Sequence, residues 1–141
     1  MSRENVEVAR AFTAAFNAHD VEGIVATCAP DIEFHSTFAA VGGAVYHGHD
    51  GVRSWYRDIE ETWGQDIRSQ AESLFDLGED VLTFTLLEGR GTHSGVQVAL
   101  PAAIVTRIRG GLIVGFRGYA HREDALRDLG VSEEALEPIA P

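Results

Sequence analysis

YHGHDGVRSWYRDIEETW, running from Tyr46 to Trp63, is the stretch whose reading decides the fold. Its opening is punctuated by Gly48 and Gly51, and Asp50 is a side chain suited to cap a helix. From there Val52, Trp55, Tyr56, Ile59 and Trp63 recur at helical spacing and make one continuous apolar face. Arg53, Arg57, Asp58, Glu60 and Glu61 take the opposite side, and Gly64 stands where such a helix stops. A helix face this aromatic either fills a core or walls an apolar pocket. Tyr56 reads as the polar group that reaches inward from it.

Upstream, Glu4 to Ala18 reads as a helix, with Val8, Phe12 and Phe16 on one line. His19-Asp20 breaks it. Asp20 is placed to cap a second, short helix whose apolar side is Val21, Ile24, Val25 and Cys28, and Pro30 reads as its stop. Asp31 to Phe38 alternates as a strand, with Ile32, Phe34, Ser36 and Phe38 on one face and Glu33, His35 and Thr37 on the other. A glycine-rich loop, Val41 to Val45, leads into the aromatic helix.

Downstream, Ile67 to Leu77 reads as a less cleanly patterned strand. Leu82, Phe84 and Leu86 then alternate with Thr83 and Thr85. Val98, Leu100, Ala102, Ile104, Thr106 and Ile108 form the next apolar row, with Val105 out of pattern. Gly110-Gly111 signals a hairpin, and Leu112, Val114 and Phe116 follow. His121 to Leu129 reads as a helix ended by Gly130. Helices first and a strand meander last give an α+β class, a curved antiparallel sheet with the N-terminal helices packed on its concave face. The 141 residues are expected to form one domain, with a core from about residue 4 to 130 and a loosely held tail from 131 to 141.

A formal net charge of −11 argues against nucleic acid and anionic membrane surfaces as partners. No apolar run approaches a membrane span in length. The single cysteine, Cys28, allows no internal disulfide and reads as a small buried hydrophobe. With no signal-peptide pattern, a cytoplasmic location is expected.

Four stretches resemble one family: FNAHDVEGIVA (Phe16 to Ala26), PDIEFH (Pro30 to His35), YHGHDGVRSWY (Tyr46 to Tyr56) and GGLIVGFRGYA (Gly110 to Ala120). Together they resemble the nuclear-transport-factor-2-like superfamily in its SnoaL-like, ketosteroid-isomerase-like branch. The resemblance implies a cone-shaped cystatin-like or SnoaL-like α+β barrel, an apolar internal pocket, no cofactor, and a homodimer formed through the outer sheet face. In the isomerases a first-helix tyrosine and a protonated aspartate form an oxyanion hole, and a second aspartate is the base. The matching positions here are Phe12, Ile104 and Ser36. The last-strand acid of SnoaL-type polyketide cyclases falls on Gly115 or Gly118. Tyr56 alone matches a polar position, a tyrosine that supports the oxyanion hole.

By helix face and strand parity, the expected pocket wall has two contributors. The helices supply Phe12, Phe16, Trp55, Tyr56, Ile59 and Trp63. The strands supply Phe34, Ser36, Phe38, Leu82, Phe84, Leu86, Ile104 and Phe116. Such a wall suits an apolar or aromatic small molecule. The catalytic candidates are Tyr56 to polarise a carbonyl, with Ser36, His35 or Glu88 to handle a proton. The simpler reading of Tyr56 is a buried phenol bonded to backbone. Ser36 and His35 should face opposite ways. His35, His47 and His49 with Asp50 invite a metal reading, but loop histidines are more often solvated, and no metal is expected. The odd-numbered sheet face, with Thr83, Thr85, Val105, Arg107 and Arg117, is the expected dimer surface. Three functions remain open: a cyclase- or isomerase-type proton-transfer enzyme, a non-catalytic binder of an apolar ligand, and a dimeric adaptor.

Overall fold

The computed structural model describes residues 2–36, 44–90 and 95–141. The elements run α1 (Ser2–Asn17), α2 (Val21–Ala26), β1 (Cys28–Ser36), β2 (Ala44–His47), α3 (Gly48–Trp63), β3 (Arg68–Asp76), β4 (Asp80–Arg90), β5 (Gln97–Arg109), β6 (Leu112–Tyr119) and α4 (Arg122–Leu129), with a short 3-10 turn at Glu133–Ala135. The six strands form one curved, unclosed sheet in the order β2-β1-β6-β5-β4-β3. Strands β3 to β6 are the expected antiparallel meander, turned at Gly110 and Gly111, whose φ values of 59° and 79° suit a two-residue hairpin. The sheet is not wholly antiparallel, because β1 pairs with β6 in parallel and sets Phe34 beside Phe116.

Three local readings shift. Cys28 opens β1 instead of closing α2, while Asp20 caps α2 as read, accepting from the Gly23 N–H. Pro30 lies inside β1, where the β1–β6 register slips between Cys28 and Glu33, so its missing N–H leaves no ladder bond unmade. Helix α3 begins at Gly48, with His47 at the cap and Asp50 in the first turn. There the Asp50 carboxylate complements the helix dipole and pairs with Arg53 at 2.8 Å. Gly64, at φ 95°, ends the helix as read.

The larger correction concerns strand parity. Leu82 pairs with Val105 and Thr83 with Ile104, so each even residue of β4 shares a face with an odd residue of β5. Leu82, Phe84 and Leu86 therefore lie on the face away from α1, α2 and α3. Leu82 and Phe84 pack there with Phe75, Ala103 and Val105 against Ala125 of α4. Thr83 and Thr85 are buried on the inner face and do not belong to an outer dimer surface. Val105, out of pattern in the sequence, belongs to this second core. A register shift after Arg107 acts likewise on β6, where Ile113 and Phe116 turn inward, Val114 borders an outer groove and Leu112 is exposed.

Helices α1, α2 and α3 cover the inner face, and α4 covers part of the outer one. The segment after Gly130, read as a loose tail, is tied at Ile139, which exchanges two backbone hydrogen bonds with Leu74 (2.7 and 3.0 Å). Arg10 also donates to the Ala140 carbonyl. Among the described residues no helix is long and apolar enough to cross a membrane.

Candidate functional site

Between α1, α3 and the inner sheet face lies a narrow apolar cavity of about 30 Å³. That is room for about one water. Phe12, Thr13 and Phe16 border it from α1, and Trp55, Ile59 and Trp63 from α3. The sheet side is Ser36, Ser69, Leu87, Ile104, Phe116 and Gly118, with Ile67 just before β3. No charged side chain stands among these lining residues. Thr13, Trp63 and Ile104 are only half-buried and mark the side that solvent reaches.

The aromatic part is a connected cluster. Phe34 and Phe116 stack at 4.3 Å with 9° between their planes, following their register across the parallel strands. Trp55 tilts against Phe34 at 4.8 Å and Phe116 at 5.6 Å, and touches Phe12 and Phe16 at 6.0 and 5.8 Å. Tilted and offset contacts of this kind are the favourable ones for aromatic rings. The ring of Trp55 is thus held from several sides.

The wall's polar groups differ in how they are engaged. Ser69 Oγ and Thr85 Oγ1 share a hydrogen bond of 2.7 Å. Thr13 Oγ1 donates to the Ala9 carbonyl at 3.2 Å. Ser36 is 4% exposed and also engaged. Trp55 is 3% exposed, and its Nε1–H is buried without an acceptor among the described residues. A buried donor left unmade costs roughly 1–3 kcal/mol.

Tyr56 does not line the cavity. It is 4% exposed, and its hydroxyl lies 2.6 Å from His19 Nδ1 and 3.5 Å from the Phe16 carbonyl, at the junction of α1 and α2. Tyr56 follows Trp55 by about 100° around the helix, enough to carry it past the cavity toward α1. His19 takes a left-handed backbone, φ 55°, as the chain turns between the helices, and Glu60 Oε2 is 3.9 Å from its Nδ1. Burial, helped by the Glu60 charge, pushes the Tyr56 phenol up to about 12. The phenol links α3 to the turn between α1 and α2.

The other catalytic candidates separate too. His35 points to the outer face, 2.5 Å from Glu33, whose carboxyl this contact holds below its usual range. Ser36 points inward, so the two adjacent residues do not meet. Glu88 alternates with Leu87, and since Leu87 lines the cavity, Glu88 does not. Phe34 is buried behind the lining rings, while Leu82, Phe84 and Leu86 lie on the outer parity. Phe38 lies outside the described residues. His47 leans toward Glu33 and His49 bonds the Cys28 carbonyl at 2.9 Å, so the two do not converge. Among the described residues no three His, Cys, Asp or Glu side chains gather as metal ligands. Burial pushes the Cys28 thiol up to about 11, the chemistry of an inert core thiol.

Sequence reasoning missed Thr13, Ile67, Ser69 and Leu87 on the wall. Leu87 could have been found by asking which β4 parity faces Ile104. Ser69 and Thr13 carry no signal, because small hydroxyls fit either face of a strand or helix.

A family profile for a SnoaL-like domain matches residues 9–116. Comparison with curated protein sequences finds no significant match. Among solved structures, an NTF2-like protein of unknown function from Burkholderia pseudomallei is similar at 22% identity over 88% of this chain and 95% of its own, with a TM-score of 0.76. TerC, co-crystallised with polyporic acid, shares 22% identity over 89% of this chain and 97% of its own, with a TM-score of 0.74. RV0760c from Mycobacterium tuberculosis, in complex with estradiol-17β-hemisuccinate, shares 19% over 85% and 95%, with a TM-score of 0.70. At these identities the likeness is one of fold.

Proposed function

We propose, because this chain belongs to the SnoaL-like domain family, that it binds a neutral apolar or aromatic carbonyl compound in the cavity between α1, α3 and the sheet. The observation that carries this is an inner wall of aromatic and aliphatic side chains with no charged group upon it. Two proteins of the same fold were crystallised with small molecules, polyporic acid and estradiol-17β-hemisuccinate, which supports a small-molecule site in this fold. The cavity must widen for such a ligand, since small-molecule sites span roughly 300–1,000 Å³. Half-buried Trp63 borders the cavity on the side that solvent reaches. Binding is favoured over cyclase- or isomerase-type proton transfer, because the described wall carries no carboxylate or imidazole to act as base.

A thermal-shift panel of neutral aromatic ketones and their carboxylate analogues tests the reading. A ketone held only by the native state raises the melting temperature, by the equivalent of roughly 2.7 kcal/mol at a hundredfold excess over its Kd. Stabilisation by the carboxylates alone would overturn it.

We extend the proposal to a homodimer. The outer face over β1, β6 and β5 forms a groove lined by Glu33, His35, Arg107 and Arg117, groups of both signs that a second copy can match. Sedimentation as a monomer at micromolar concentration would remove this part. The single buried cysteine suits a reducing compartment, and we place the protein in the cytoplasm.

A further inference from the structure

We infer that the indole N–H of Trp55, a residue of the cavity wall, is the group that selects the ligand, taking a hydrogen-bond acceptor such as a ketone or quinone oxygen once the cavity widens to admit it. The inference rests on the ligand-binding reading above and gives it a chemical criterion.

Three observations carry it. Trp55 borders the cavity, and its Nε1–H is buried with no acceptor among the described residues. Buried polar groups in native proteins are nearly always paired, so an orphan beside a cavity marks a place where an acceptor belongs. Phe12, Phe16, Phe34 and Phe116 surround the indole ring at centroid distances of 4.8 to 6.0 Å, so the donor is fixed before the ligand arrives. Fixing a donor in advance lowers the ordering cost of binding.

The neighbouring hydroxyls are engaged elsewhere. Ser69 bonds Thr85, Thr13 bonds the Ala9 carbonyl, and Ser36 is not free. Indole nitrogen is a donor only. The ligand atom it takes must therefore be an acceptor, and a hydroxyl or amine presented as donor gains nothing there. The described wall offers no cation to neutralise a carboxylate. A neutral ketone or quinone meets both conditions, whereas a hydrocarbon of the same shape leaves the N–H unpaired. A site built around an unpaired polar group discriminates strongly against the analogue that lacks its complement.

The chain has two tryptophans, Trp55 and Trp63, so nitrogen-15 labelled tryptophan gives two indole N–H resonances, assigned with Trp63→Phe. The probes are 9-fluorenone and fluorene, which share a ring frame and differ in the ketone oxygen. Fluorenone should move the Trp55 resonance downfield and bind roughly tenfold tighter than fluorene, a ratio worth about 1.4 kcal/mol. In Trp55→Phe the ratio should fall to about one. Should that variant fail to fold, the resonance of the unaltered protein still decides the matter. Equal binding of both probes, with the Trp55 resonance moved alike by each, would overturn the inference and leave the binding reading standing. That is also the outcome expected if the N–H rests against a neighbouring ring face. If neither probe binds, the binding reading fails and the inference falls with it.

Discussion

Strands β4 and β5 carry a core on each face, and the two are built differently. On the outer face Phe75, Leu82, Phe84, Ala103 and Val105 meet one short helix through Ala125, which is fully buried. Arg122 closes that side over Phe84 at 4.7 Å. On the inner face the same two strands face longer helices that bring Phe12, Phe16 and Trp55, with Phe116 of β6 beside them, and a cavity remains beside Ile104 and Gly118. A small residue lets a helix settle directly onto the strands. Planar rings spanning a wider gap leave space where a glycine offers no side chain. The inner void is therefore a consequence of which residues face it and does not come from irregular strands.

The comparison breaks most readily at Leu82. On the filled side, Leu82→Ala removes a fully buried side chain and should cost about 2–5 kcal/mol in urea denaturation, with ligand response unchanged. A cost under about 1 kcal/mol would show that the outer core is no better filled than the inner one.

On the void side, Ile104→Phe places its added carbon in free space. Overpacking generally costs about 1–3 kcal/mol, and the lower end is expected here, together with loss of the ketone-induced thermal shift. A retained shift would place ligand binding outside the cavity.

Tyr56 sharpens the boundary between wall and support. Tyr56→Phe should cost roughly 0.5–1.5 kcal/mol for the lost tie to His19 and leave ketone binding intact. The native phenol ionises near 12, above the ordinary value of about 10. The folded chain therefore holds this proton more tightly than the unfolded one, and its stabilisation is complete below about pH 10 and lost as pH rises through 12. The variant should flatten part of that alkaline decline. Tyr46, also raised to about 12, keeps its own share.

The smallest effect is expected at Cys28. Its thiol is buried and ionises near 11, so a thiol reagent at pH 8 should leave the native protein unmodified and react upon unfolding. Rapid labelling of native protein would show that the α2–β1 junction opens.

What was legible in the sequence follows the range of the forces involved. The α3 face, its stop at Gly64, the Gly110-Gly111 hairpin and the Gly130 stop depend on residues a few positions apart, and each stands where its pattern placed it. The facing of Leu82, Phe84 and Leu86 depends on register across a hairpin, and alternation within one strand cannot supply it. Val105 carried the missing information, since an apolar residue on the apparent polar side of β5 needs a second core. The parallel β1–β6 pair joins segments far apart in sequence, and nothing local announces it. Tyr56 was placed on the correct helix face, yet its partner His19 comes from a turn between two other helices. Trp55 reads in the sequence only as part of an apolar face, and that its buried Nε1–H lacks an acceptor among the described residues depends on packing that no local pattern carries.

The bond between Ile139 and Leu74 bears on how the protein behaves in concentrated solution. β3 is an edge strand, and exposed edge N–H and C=O groups invite another chain to add a strand. Ile139 occupies one such pair, next to the register shift between Ala71 and Ser73 that already bends the edge. The C-terminal segment thus works as a guard against self-association by strand addition. A fusion joined behind Pro141 would pull on that guard, so a tag at this end would alter solubility and storage while ligand affinity stayed the same.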